Sequence, residues 1–112
     1  MTQPLSAAIV VLVTAGSREE AETIGRTLVG ERLAACVNVV GPIRSIYRWQ
    51  EAVEEAQEHL LIVKARAVDL PALEARVRAV HSYDVPEVVA LSVAGGSEAY
   101  LRWLEGATAR AR

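Results

Sequence analysis

The sequence predicts an α+β domain: a four-stranded antiparallel sheet with two helices on one face and a further helix at the carboxyl end. Three observations predict it. Segments of strand and helix character follow one another in the order β-α-β-β-α-β. The centre of the chain, Arg32 to Arg66, reads as one long antiparallel hairpin. Three strand segments, Ile9 to Val13, Leu60 to Val63 and Val88 to Leu91, are apolar at every position rather than at alternate ones.

Ala7 to Ala15 (AAIVVLVTA) reads as a buried strand. Ser17-Arg18-Glu19-Glu20 has the form of a capping box, in which Ser17 accepts from the N3 amide and Glu20 reaches back. A helix then runs to about Gly30, a suitable stop, with Ala21, Ile24 and Leu28 on one face. The first hairpin arm, Ala35 to Trp49, is rich in Val, Ile, Tyr and Trp, which fit a pleated surface. Gly41-Pro42 interrupts it, and proline cannot donate to a ladder, so a bulge belongs there. The turn lies near Gln50-Glu51, and the second arm ends in Leu60-Leu61-Ile62-Val63.

Asp69 is placed to cap a second helix, with Pro71 tolerated in its first turn. Leu70, Leu73, Val77 and Val80 form its apolar face, and Glu74 and Arg78 an i,i+4 pair on the wet side. His81 to Pro86 breaks the pattern and reads as a loop. Glu87 to Val93 (EVVALSV) is the fourth strand. After Gly95-Gly96, Ser97 caps a last helix carrying Tyr100, Leu101, Trp103 and Leu104, with Arg110 and Arg112 at the end where positive charge suits the dipole. The whole is the ferredoxin-like βαββαβ arrangement with a long hairpin and an extra C-terminal helix. An apolar run on both faces wants cover on both. Two helices cover only one, so the other face calls for a second subunit, a homo-oligomer, or else for the terminal helix.

At 112 residues the chain is one domain, 1–112, with 52% apolar and 23% charged residues, an ordinary globular balance. A net charge of −2 without a basic stripe argues against a nucleic-acid partner. The longest apolar run, Ala7 to Val13, is too short to span a bilayer, so no membrane partner is expected. Met1 to Pro4 carries no positive charge typical of a signal peptide. Cys36 is the single cysteine, which fits a reducing, cytoplasmic location.

Five separated stretches together resemble the CutA family of divalent-cation tolerance proteins. They are Arg32-Leu33-Ala34-Ala35-Cys36-Val37-Asn38, Ser45-Ile46-Tyr47-Arg48-Trp49, Glu58 with Ile62-Val63-Lys64, His81 to Glu87, and Tyr100-Leu101-Arg102-Trp103-Leu104. The resemblance implies a tight homotrimer built like the PII signalling proteins, and a link to copper and other divalent metals. It also implies that Tyr47, Trp49, Tyr83 and Glu87 line a cleft between subunits. The sequence departs from the family pattern at Ser82, Asp84, Ala65 and Glu51. Of three positions linked to metal in some members, Val13, Val80 and His81, only His81 keeps a ligand.

The residues themselves offer Cys36, His59, His81, Asp84 and Glu87 as metal ligands, with no local chelate spacing among them. His81, Cys36 and Glu87 form the expected set, for copper(II) or another divalent cation, without an organic cofactor. Against it stand simpler readings: His81 as a helix-terminal histidine bonding backbone, Cys36 as a small buried strand residue, His59 as a surface residue. Lys64, alone in an apolar strand with Glu58 on the same arm, is rare unless paired. In the cleft that the resemblance implies, Lys64 and Glu58 together with Tyr47, Trp49 and Tyr83 would hold a small anion or metal complex. The alternative is a structural ion pair of Lys64 with Glu58 or Glu87. No nucleophile with a spaced histidine and no phosphate loop point to an enzyme. The expected function is divalent-cation tolerance, and the alternative a PII-like small-molecule sensor or scaffold.

Overall fold

The computed structural model describes residues 5–110, so the readings at Met1 to Pro4 and at Arg112 lie outside the described residues. The elements follow the expected order: β1 (Ala8–Ala15), α1 (Arg18–Gly30), β2 (Cys36–Trp49), β3 (Ala52–Arg66), α2 (Leu70–Val80), β4 (Val89–Ser92) and α3 (Glu98–Thr108). The four strands form one antiparallel sheet in the order β2-β3-β1-β4. A single 3-10 turn, Ala67–Asp69, joins β3 to α2.

Register explains the double apolar run. On the inner face, Val13 lies opposite Leu61, Val11 opposite Val63 and Ile9 opposite Ala65. These residues are buried against Ala21, Ile24 and Leu28 of α1 and Leu73 and Val77 of α2 in one core. Each fully buried large aliphatic side chain contributes about 1.5–3 kcal/mol. On the outer face, Val10, Leu12 and Thr14 of β1 lie level with Lys64, Ile62 and Leu60 of β3, and with Leu91 and Val89 of β4. There α3 leaves Val40, Val89 and Leu91 about half exposed.

The terminal helix is tied instead to the far end of β3. Arg66 donates to Asp69 at 3.1 Å, to Glu105 at 3.4 Å and to the Thr108 carbonyl at 3.2 Å, and Arg110 pairs with Asp69 as well. This network changes the expected cap of α2. Asp69 occupies the capping position but makes no side-chain cap bond, because two guanidinium groups claim its carboxylate. The capping box of α1 is likewise half formed: Ser17 Oγ accepts from the Glu20 amide at 3.1 Å, while the Glu20 side chain leaves the helix for Ser82.

Other boundaries shift for local reasons. The stop of α1 is a Schellman closure: the Leu33 amide donates to Leu28 O at 2.9 Å and the Arg32 amide to Val29 O at 3.1 Å. The left-handed residue is Arg32, at φ 61°, rather than Gly30. The bulge falls between Val40 and Ile43 as expected. Gly41 is needed there because a Cβ would stand 2.5 Å from the His59 ring. Gln50 and Glu51 form the two-residue turn, both with positive φ, 48° and 73°. The second arm is longer than expected, and β4 is shorter than Glu87 to Val93. Its ladder with β1 stops at the Leu12–Val89 pair, which frees Glu87 to face elsewhere. The distal half of the hairpin projects from the body, giving extents of 55 × 27 × 22 Å.

Candidate functional site

A cleft of about 610 Å³ opens where the projecting hairpin meets the loop after α2. One wall is the outer face of the hairpin. Strand alternation puts Ser45, Tyr47 and Trp49 of β2 on the same side as Glu54 and Glu58 of β3, because Tyr47 pairs with Glu54 and Ile43 with Glu58. Thr14 closes the floor at the end of β1, and Tyr83, Asp84, Val85 and Glu87 form the opposite wall.

The two walls are joined by one hydrogen bond: the Tyr83 hydroxyl donates to Glu58 Oε2 at 2.8 Å. Glu58 is only 8% exposed, so this bond satisfies an acceptor that water barely reaches. Burial, then the hydrogen bond and charge of Glu58, push the Tyr83 phenol far above its ordinary value, so it stays a donor. Burial also raises the Glu87 carboxyl, and the charge of Glu58 raises it further. Glu54, Glu58, Asp84 and Glu87 line the cleft, and no basic side chain among the described residues does. Its potential therefore favours cations.

The loop wall is held from behind. The His81 ring, fully buried, accepts at Nδ1 from the Tyr83 amide at 3.0 Å, so its proton sits on Nε2, which donates to the Thr14 carbonyl at 2.7 Å. Ser82 donates to Glu20 through its amide at 2.8 Å and its hydroxyl at 3.0 Å. Burial pushes the Glu20 carboxyl up, but hydrogen bonds from Ser82 and from the Gly16 backbone hold it below the ordinary range. The His81 and Tyr83 rings lie 4.6 Å apart.

The structure thus brings Tyr47, Trp49, Glu58, Tyr83 and Glu87 together, and leaves Lys64 and Cys36 elsewhere. Lys64 is six residues from Glu58 along β3, about 20 Å away. Its ammonium bonds Asn38, so within one chain it makes no ion pair with Glu58 or Glu87. Cys36 stands directly across from Lys64, its sulfur 3.9 Å from the same Asn38 oxygen. It is half-buried on the outer face rather than buried in the core. His59, expected at the surface, is buried behind the bulge, and its Nδ1 has no partner among the described residues.

The expected metal set fares accordingly. Both His81 nitrogens are engaged with backbone, and Cys36 is level with Val10 while His81 contacts Thr14, about 13 Å further along β1. Among the described residues no three His, Cys, Asp or Glu side chains converge as metal ligands. His81, Cys36 and Glu87 therefore do not fit a metal within one chain. The oxygen donors of the cleft suit a hard cation better than a soft one.

Glu54, Ser45, Thr14 and the supports Glu20 and Ser82 escape sequence reading. The period of two along both arms identifies the first two once the turn is placed. The supports depend on tertiary contact alone. No helix among the described residues is long and apolar enough to cross a membrane.

A family model described as CutA1 divalent ion tolerance protein matches residues 9–107. The chain is 56% identical over 95 residues to the divalent-cation tolerance protein CutA of Thermus thermophilus, covering 85% of this chain and 92% of that one. It is 48% identical over 100 residues to a chloroplastic CutA protein of Arabidopsis thaliana, covering 89% of this chain but only 55% of that protein. The chain thus spans about half the length of that plant relative. The crystal structure of CutA1 from Oryza sativa superposes with a TM-score of 0.92 at 43% identity, covering 96% of this chain and 98% of that one.

Proposed function

The chain belongs to the CutA1 divalent ion tolerance protein family, and from that premise we propose that it binds a divalent cation, copper(II) or another, in the acidic cleft between the hairpin and the Tyr83 loop. The observation that carries this reading is the lining of the cleft: Glu54, Glu58, Asp84 and Glu87 converge on it without a basic side chain among the described residues. A cation between Glu58 and Glu87 relieves burial and repulsion at once. Glu58 and Glu87 are the proposed direct ligands. One chain supplies too few donors, so the coordination is completed across a homotrimer of ferredoxin-like subunits. Half-exposed Val40, Val89 and Leu91 on the outer face, and the projecting hairpin, support that assembly. The role is tolerance or homeostasis rather than catalysis, in a reducing, cytoplasmic compartment that suits a lone cysteine.

A second reading, a PII-like small-molecule sensor or scaffold, draws support from the exposed aromatic walls of the cleft, Tyr47 and Trp49. A small anion would have to meet Lys64 brought in by another protomer.

Calorimetric titration with copper(II) and manganese(II) tests the first reading. Glu58→Gln should weaken binding about tenfold or more, as expected when a charged ligand is lost, and Cys36→Ser should leave it unchanged. Binding that survives Glu58→Gln and disappears in Cys36→Ser would overturn the cleft and restore the thiol.

A further inference from the structure

We propose that His81 is a positioning residue for the cleft rather than a ligand in it: its ring holds Tyr83 against Glu58. The role follows from what each nitrogen is doing. Nε2 donates to the Thr14 carbonyl at 2.7 Å, anchoring the ring to the end of β1. Nδ1 accepts from the amide of Tyr83, two residues on, at 3.0 Å. That second bond copies a pattern usually made by Asn or Asp, whose side-chain oxygen accepts from the amide at i+2 and shapes a turn. The ring also packs against that of Tyr83, tilted by 43° with centroids 4.6 Å apart. Its side chain has no exposed surface, so an ion in the cleft cannot reach either nitrogen without unmaking a backbone bond.

The neighbouring contacts converge on the same purpose. The next amide, that of Ser82, is taken by Glu20 from α1 at 2.8 Å. Two consecutive loop amides are thereby tied to two different elements. The side chain they deliver is the tyrosine whose hydroxyl meets Glu58 at 2.8 Å. The loop lacks regular structure between α2 and β4, so these bonds are what set the Tyr83 hydroxyl at hydrogen-bond distance. His81 acts on the cleft through Tyr83.

A ligand and a positioning residue respond differently to substitution. Asn at position 81 keeps an oxygen able to accept from the Tyr83 amide but presents no imidazole to a metal. Ala keeps neither. The inference rests on the cleft reading above for its binding readout only, so two readouts are needed. One is amide hydrogen exchange at Tyr83. The other is copper(II) quenching of Trp49 fluorescence in a Trp103→Phe background. His81→Ala should speed Tyr83 exchange about tenfold, as befits one lost hydrogen bond, and weaken quenching. His81→Asn should restore both. If Asn and Ala abolish quenching alike while Tyr83 exchange stays at the wild-type rate, His81 is a ligand and the inference fails. If wild-type protein shows no quenching, the cleft reading fails, and the exchange rates alone decide the role of His81: unchanged exchange in His81→Ala overturns it.

Discussion

Glu87 is a carboxyl whose charged form the cleft disfavours. Its carboxyl is raised by burial and then by the charge of Glu58. The sign follows from linkage. The folded state holds this proton more tightly than the unfolded state, so stability falls as pH rises from the ordinary carboxylate range through the raised value. Above that window the charged side chain is a standing cost. Glu87→Gln should therefore raise the melting temperature at neutral pH, with the gain shrinking as the pH approaches about 4. A gain independent of pH would contradict the burial account. At this scale the sequence is only partly legible. Tyr83, Glu58 and Glu87 stand out as residue types, and they do meet. Lys64 stands out equally and lies at the other end of the sheet, because strand position, not rarity, decides which side chains share a site. His59 reads as polar and wet, yet the bulge at Gly41 folds the first arm over it.

The hairpin is the element that makes the site. Its alternation sets Tyr47 and Trp49 over Glu54 and Glu58; the first arm is readable from its β-rich composition and the interruption from Gly41-Pro42, while the second arm runs past Val63 to Arg66. The turn at Gln50-Glu51 is legible only by position, since neither residue suits it. Both hold positive φ, a conformation that costs an ordinary L-residue about 1 kcal/mol. Asn-Gly is the pair such a turn favours. Gln50→Asn with Glu51→Gly should stabilise the protein by about 1 kcal/mol in thermal or denaturant unfolding. Destabilisation would mean that the two side chains make contacts outweighing their strain. The helix ends teach the converse. Ser17 and Asp69 are correctly placed as caps, but Glu20 and Asp69 turn to Ser82, Arg66 and Arg110, because a tertiary partner outcompetes a local one and no local pattern records it.

For the whole molecule, the unbroken apolar runs are the most informative feature. Register resolves them into two faces: an inner one filled by α1 and α2, and an outer one on which Val40, Val89 and Leu91 remain half exposed. The terminal helix is tied to the end of β3 by Arg66 and its partners and leaves those three residues uncovered. A solvent-facing antiparallel sheet normally carries polar residues on its wet side. Here Val10, Leu12, Leu60, Ile62, Val89 and Leu91 share that side with Lys64, Asn38 and Thr14, an apolar stripe for which the proposed trimer would account. The fold of the chain was legible because periodicity reports it. The ligand set was not, because convergence between distant strands leaves no spacing in the chain. Native mass spectrometry of the full chain, with and without copper(II), tests assembly and binding together. The account predicts a trimer that takes up a constant number of ions per protomer. A monomer, or a trimer that takes up none, would contradict it.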